Sequence, residues 1–574
     1  MADRLKPVDV AVVGLGAAGG IAVLPLARAG LKIAALEAGT WMQHSQFHAD
    51  EIYNNVRQLV TTGSKARSET PTFRTDPNDR ARRATSGATM MNAVGGTSIH
   101  YYGNSWRFHP WDFKAHSEIL RRYGTSALPA GTTLEDWPLT YDDLEPYYDQ
   151  VEYAIGVSGK AGNVQGQLDR RGKIFEGPRR REYPMPPLRE TEFTDLLQAS
   201  AKKLGWNPHR SPAAINSQPY GGRGACAYHG FCELNGCHME AKNSTAVTTI
   251  PVAMKTKNLT IFERAHATRI VSSNDGRVAG VEYLRDGREY FQPAKAVLLA
   301  TYTYENVRLL LLSKSKAFPQ GLANRRGQVG KHYIAHWNAR ECVGLFPSDL
   351  NVWYGLNAQA VVVNDWADDN FDHSGLGFVG GASLTVSHEA HPIGSADMPA
   401  FGHAASERPS WGSKWKAFVR ENAGRWRGAY AQVTSLPYEH TYLNLDPEVK
   451  DPLGNPVCRI TSGRKVNEPR ASAYAAAKAE VWFRAAGAVE VVTIPQPADG
   501  PNLSWHAVGG TRMGTNPESS VVDAFGFAHD APNLGIVGGS VLGLHGARNP
   551  TETIQALAWR TAEHLVKNWK SIAG

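Results

Sequence analysis

Two short stretches of this 574-residue chain hold residue types that could do chemistry. The first, GACAYHGFCELNGCHMEAKNST from Gly224 to Thr245, contains three of the five cysteines, spaced Cys226-x5-Cys232-x4-Cys237, with His229 and His238 interspersed. Thiolates and imidazoles bind zinc or iron, and Cys226, His229, Cys232 and Cys237 would make up a tetrahedral set. The tight C-x-x-C pairs of structural zinc sites are missing, however. A disulfide plus a free thiol requires export, and three buried cysteines without a metal are the plainest alternative. The second stretch is Gly14-x-Gly16-x-x-Gly19. Such glycines let a backbone approach a diphosphate at a helix N-terminus, where the helix dipole favours negative charge.

The glycine pattern is weak alone and gains meaning from the elements around it. Val8 to Val13 is continuously apolar, as a strand inside a parallel sheet should be, and a second strand, Lys32 to Leu36, ends at Glu37. Strand, glycine turn, helix and an acidic residue about 20 positions on form a dinucleotide-binding unit, with the carboxylate placed for a ribose diol. Residues 60 to 110 include GATMMNAVGGTSIHYYGNSWRF, Gly87 to Phe108, a loop too rich in glycine for a helix and too long for an idle connection, so it should wrap a ligand. A short amphipathic helix is expected over Tyr141 to Ile155, strands over 258 to 300, and an antiparallel sheet of a second domain between about 335 and 500. The chain closes with a strand, a glycine loop and a helix presenting Ile554, Leu557, Ala558, Thr561 and Leu565 on one face. The nucleotide domain should therefore be assembled from both ends of the chain, with the substrate sheet inserted between.

No apolar run reaches the roughly 20 residues of a membrane helix, so no direct membrane span is expected. MADRLKPVDVAVVGLG passes straight into a strand with no signal peptide or twin-arginine pair. A net charge of +7 is spread along the chain without an aromatic-interleaved basic module, which argues against nucleic acid. One basic cluster, Arg170, Arg171, Lys173, Arg179, Arg180 and Arg181, lies among Gly and Pro. It reads as a solvated loop, with a docking surface or acidic-ligand site as the alternative.

Taken together, these segments resemble the glucose-methanol-choline (GMC) family of flavin oxidoreductases over nearly the whole chain. GLGAAGG with Glu37 resembles the family's FAD fingerprint, AVGGTSIH its flavin-contacting loop, and LLATYTYENVRLLLLS, Leu298 to Ser313, its second signature. SWHAVGGTRMG and ARNPTETIQALAWRTAEHL match the segments that carry the active-site pair. The resemblance implies a mixed α/β GMC fold, a Rossmann-like FAD domain with an inserted antiparallel-sheet substrate domain. The implied division is 1–130 for the first part of the FAD domain, 131–225 for a turn-rich connection and the start of the substrate domain, and 226–334 for the cysteine loop and the return to the FAD domain. Residues 335–500 would be mainly substrate-binding, and 501–574 the last part of the FAD domain. FAD contacts are implied at Gly14, Gly16, Ala17, Gly19, Glu37, Gly95, Gly96, Thr97, Ser98, His100, Ala267, Gly539, Asn549 and Thr551. His100 ends a G-G-x-S/T-x-H pattern whose histidine lies against the flavin and in some members is its covalent attachment point. By the same match His506 is the catalytic base and Asn549 its partner, residue types suited to taking a hydroxyl proton and holding the oxygen without adding charge.

Within the family the chain is most similar to large subunits of bacterial sugar dehydrogenases, among them those acting on gluconate, glucose and fructose and the glucoside 3-dehydrogenases. These have a cysteine-rich loop at this place followed by an AKxS-type segment, here Ala241-Lys242-Asn243-Ser244. The resemblance implies an iron-sulfur cluster on Cys226, Cys232 and Cys237. His229 stands where the gluconate type has a further cysteine, which narrows the expectation to [3Fe-4S]. A cluster implies a dehydrogenase passing electrons singly to a cytochrome or quinone; an oxygen-using pyranose-oxidase-like or carbohydrate 3-oxidase activity without a cluster is the alternative. Such relatives travel with a small subunit bearing a twin-arginine signal and with a cytochrome subunit. The expected location is accordingly the periplasm by co-export, with the cytoplasm as alternative.

Overall fold

The computed structural model describes residues 2–53, 69–84, 90–396, 411–494 and 503–574. Gly87, Ala88 and Thr89, at the start of the expected ligand-wrapping loop, lie outside these residues, as do its positions 60–68 and stretches of the expected substrate domain. The strand Val8–Val13 leads through the glycine turn into helix α1, Ala17–Arg28, and on to the strand Ile33–Leu36. These two strands pair in parallel, and the sheet continues to Leu259–Phe262 on one side and to Arg288–Leu299 on the other. Ala531–Ile536, near the C-terminus, also pairs in parallel with Arg288–Leu299. The two ends of the chain thus share one sheet. Residues 10–13 and Ile33–Leu36 are buried on both faces, which is why they read as unbroken apolar runs.

Helix α2, Tyr141–Ile155, is capped by Thr140, whose side chain accepts the Asp143 N–H, and stops at Gly156 in the left-handed region with φ +90. It packs against α3, Thr551–Lys567, which in turn packs against α1. The face of α2 turned inward carries Glu145, Asp149 and Glu152, and the solvated-loop reading of the basic cluster fails at Lys173 and Arg179, which are buried. Arg179 is fully buried and donates to Glu152 at 2.5 Å, Arg181 pairs with Asp149 at 2.8 Å, and Arg180 with Glu145 at 2.9 Å. Glu152 on that buried helical face draws Arg179 in, because a buried charge is tolerated only when paired. Arg170, Arg171, Arg180 and Arg181 keep the exposed character expected of them.

The second body is a six-stranded antiparallel sheet ordered Glu490–Thr493, Trp337–Leu345, Trp426–Val433, Ala382–Ser387, Ala360–Val363 and Pro208–Arg210. Its edge strand Pro208–Arg210 comes from outside the 335–500 span. The helix Asn467–Ala485 covers one face with Ala471, Ala475, Ala479, Trp482 and Phe483. Two short pairings tie this sheet to the first body: Ala335 faces Ala507, and Ser435 exchanges backbone bonds with His545 at 2.9 and 3.2 Å.

Candidate active site

A cleft of about 1480 Å³ runs along the ends of the parallel strands. Gly14, Gly16, Ala17, Glu37, Gly96, Thr97, Ser98, Ala267, His506, Gly539 and Thr551 all line it. Gly14 has φ +91, and a Cβ there would sit 2.6 Å from the Ala300 carbonyl oxygen. At Gly19 a Cβ would fall 1.9 Å from the Gly14 oxygen, so this glycine lets α1 press against the turn instead of lining the cleft. No side chain caps α1, and its N-terminal N–H groups open toward the cleft. The Glu37 carboxylate accepts the Leu15 and Gly39 N–H groups, each at 2.9 Å, which holds it at the cleft edge with further lone pairs to offer a diol. An uncapped helix N-terminus behind a side-chain-free turn, with a fixed carboxylate one strand away, fits the diphosphate and ribose of FAD.

Gly95 and His100 belong to the same loop but stand behind the cleft wall. Gly95, at φ +100, donates its N–H to the Leu15 carbonyl at 2.8 Å and so ties the two glycine loops together. His100 is buried with neither ring nitrogen partnered, and burial holds its pKa near 4. Its neighbour Tyr101 is the residue that reaches the cleft.

At the inner end of the cleft stands His506. Its Nε2 lies 3.2 Å from Asn549 Nδ2, and its Nδ1 lies 2.9 Å from His336 Nδ1. The His336 ring stacks on His545 at 3.7 Å between centroids, 13° from parallel. Burial lowers the pKa of His506 to about 4 and keeps His336 and His545 well below the ordinary imidazole value, so all three are neutral near pH 7. Asn549 does not line the cleft. It lines a second, small cavity of about 250 Å³ with Asn104, Trp106, Ser383, Thr385, Gln432 and Arg548. The contacting pair His506–Asn549 is therefore the partition between a large glycine-walled cleft and a small polar cavity floored by the inserted sheet. Arg548 brings no free charge to that cavity, since Asp112 and Asp368 both bind its guanidinium.

His336, His545 and Gln432 were not singled out by sequence reasoning. Each takes its place through pairing across long separations, and the one local signal was the twin histidines of GKHYIAH, His332 and His336.

The three cysteines are free thiols on one loop, and electrostatic interaction links Cys237 to both Cys226 and Cys232. Burial pushes the Cys226 thiol up to about 11 and the Cys232 thiol well above its ordinary range, with the Glu389 carboxylate adding to the effect. The loop is tightly wound: Tyr228, Phe231, Leu234 and Glu240 all have positive φ. The buried Lys242 ammonium draws the carbonyls of Cys232 and Asn235 to itself at 2.8 and 2.7 Å. Among the described residues, only His336, His506 and His545 gather three ligand atoms within 4.8 Å, so the set Cys226, His229, Cys232 and Cys237 is not closed around one ion. The loop also backs directly onto the cleft. Tyr101, a cleft residue, donates to the Asn243 carbonyl at 2.8 Å, Tyr102 donates to Glu233 at 2.7 Å, and Thr245 donates to the Gly16 carbonyl at 3.3 Å.

Two family models described as GMC oxidoreductase match the chain, over residues 133–337 and 437–558. A gluconate 2-dehydrogenase flavoprotein from Pantoea cypripedii is 30% identical, over 98% of this chain and 94% of its own. A fructose dehydrogenase large subunit from Gluconobacter japonicus is 26% identical over 99% of this chain and 100% of its own. Among solved structures, pyridoxine 4-oxidase from Mesorbium loti superposes with a TM-score of 0.59 at 15% identity, covering 97% of this chain and 99% of that one, a likeness of fold.

Proposed function

The chain belongs to the GMC oxidoreductase family, and from that membership we propose that it is a FAD-dependent dehydrogenase oxidising a secondary hydroxyl of a sugar, glycoside or sugar acid to the ketone. The observation that carries this reading is the partition: His506 faces the dinucleotide cleft and Asn549 the polar cavity, at 3.2 Å from one another. A hydroxyl held between them meets a neutral imidazole that can take its proton and an amide that can orient its oxygen. When bound, FAD supplies the acceptor for the hydride leaving the same carbon. The proton goes to His506 Nε2 and the carbon–oxygen bond becomes a carbonyl. Asn104, Ser383, Thr385 and Gln432 offer hydroxyl-binding groups, and Trp106 offers a face for a sugar ring.

The finer reading assigns a [3Fe-4S] cluster to Cys226, Cys232 and Cys237. It is supported by the three thiols and by the hydrogen bonds that seat their loop against the cleft wall. Electrons would leave singly through this loop to a cytochrome or quinone. A small subunit with a twin-arginine signal would carry the chain to the periplasm, consistent with a relative that is itself named a large subunit.

The test is an anaerobic titration of purified protein with sugars, glycosides and sugar acids, following flavin bleaching together with iron content and electron paramagnetic resonance. Sugar-dependent bleaching with about three irons per chain and turnover on an artificial acceptor supports the reading. Full-rate peroxide formation without iron assigns an oxidase instead.

A further inference from the structure

The inserted sheet also reaches the reacting centre through hydrogen bonds, and these decide where the proton on His506 resides. Gln432 Nε2 donates to Asn549 Oδ1 at 3.0 Å, which turns the Asn549 amide so that Nδ2 faces His506 Nε2. A nitrogen that meets an N–H donor must carry a lone pair, so the proton of the neutral ring is at Nδ1. There it faces His336 Nδ1 at 2.9 Å, which must then accept. We propose that Gln432 and His336 are positioning residues that hold His506 as the Nδ1–H tautomer, so that a substrate hydroxyl displacing the Asn549 N–H meets a lone pair at Nε2. The proposal rests on the reading of His506 as the base.

The reverse assignment, with both amides turned over and both imidazoles in the other tautomer, is poorer. Gln432 Oε1 is buried and has no partner in the protein. Reversed, that position would hold the amide nitrogen, and an orphaned N–H is the less tolerated defect. A metal reading of the three histidines is poorer as well. Imidazole lone pairs lie in the ring plane, and the planes of His336 and His545, 13° from parallel and 3.7 Å apart, do not converge on one ion. His545 is settled independently, because its Nδ1 faces the Gly546 carbonyl at 2.9 Å and must be protonated. The other charged groups acting on the stack are Lys465, which interacts with His336 and His545, and Arg548, which interacts with His545. Both are cations and oppose protonation of the stack beyond the one substrate proton.

His336 connects the short pairing Ile334–Ala335 to the strand Trp337–Leu345, and the Ala335 to Ala507 register sets it beside His506. A substrate that displaces Gln432 from Asn549 would thus change the basicity of the partition as well as the shape of the cavity.

The experiment compares wild type, His336→Leu, His336→Asn, Gln432→Glu and His506→Ala holoenzymes in anaerobic flavin reduction across pH. Asparagine keeps an acceptor near the Nδ1 position, so His336→Asn should stay within about 5-fold of wild type in kcat. His336→Leu should lose about 100-fold in kcat with KM and flavin content little changed, within the range that general-base catalysis contributes. Gln432→Glu cannot donate, so it reverses the Asn549 amide and should lose at least as much. His336→Asn no better than His336→Leu, or Gln432→Glu matching wild type, overturns the proposal. His506→Ala separates the two readings: if it still reduces flavin with sugar, the base assignment itself falls. Should His336→Leu not fold, ¹⁵N-histidine spectra of the wild type decide the matter. His506 protonated at Nδ1 is the result expected, and protonation at Nε2 overturns the proposal.

Discussion

The large cleft and the small cavity meet at His506 and Asn549, yet they are built by opposite means. The cleft is walled mainly by backbone: Gly14, Gly16, Gly96 and Gly539 present main chain, and the uncapped start of α1 presents N–H groups. The cavity is walled by side chains from separate segments: Asn104, Ser211, Ser383, Thr385, Gln432 and Arg548. A backbone wall tolerates one side chain, hydrogen, and is therefore written as glycine at fixed spacing. A side-chain wall can be written in many ways, so it can change substrate without changing fold.

The comparison can be broken first at the partition. His506→Ala should lower kcat by about 1000-fold with flavin retained, within the range for loss of a general base; sugar-dependent bleaching at the wild-type rate would remove the partition from the chemistry. Next is pH. The folded pKa of His506, near 4, lies below the ordinary 6.5 of an unfolded histidine, so the unfolded chain binds a proton that the folded chain resists. The stability this group contributes is complete above pH 6.5 and is lost as pH falls toward 4, by about 3 kcal/mol at about 1.4 kcal/mol per unit. Thermal melts at pH 7 and pH 5 should show about 2 kcal/mol of that loss, since pH 5 lies about 1.5 units below 6.5, and the acid limb of kcat/KM should lie near 4 and not near 6.5.

Two substitutions sharpen the contrast between the walls. Gly14→Ala forces a non-glycine residue to φ +91 against the Ala300 carbonyl, at a cost of roughly 1–3 kcal/mol, and should weaken flavin retention about 10- to 100-fold. Equilibrium dialysis against FAD checks it, and unchanged affinity would refute the backbone account of the cleft. Ser383→Ala removes one hydrogen-bonding group from the cavity, worth about 0.5–1.5 kcal/mol, and should raise KM about 2- to 10-fold while flavin content stays full. Arg171→Ala, on an exposed pair with Asp169, should leave the thermal melt unchanged.

What could be read before the fold was known follows the same division. Val8–Val13, the glycine turn, Glu37 and the helix Tyr141–Ile155 were legible because their determinants are local: strand burial, glycine spacing and amphipathic period. The edge strand Pro208–Arg210 was not, since three residues carry no period. The basic cluster was misread at Arg179, because its partner Glu152 lies on a helix whose inward face is set by packing against α3.

The sequence alone determined a dinucleotide turn, a histidine and an asparagine in segments that resemble a family's active-site pair, and a loop with three cysteines. Only the tertiary structure decided that the histidine and asparagine form a wall between two cavities, that the cysteine loop backs onto the cleft, and that His336 and Gln432 join the pair. The reason is physical. Glycine spacing and helix caps act within a few residues, whereas the Ala335 to Ala507 register and the Gln432 to Asn549 hydrogen bond join positions more than a hundred residues apart.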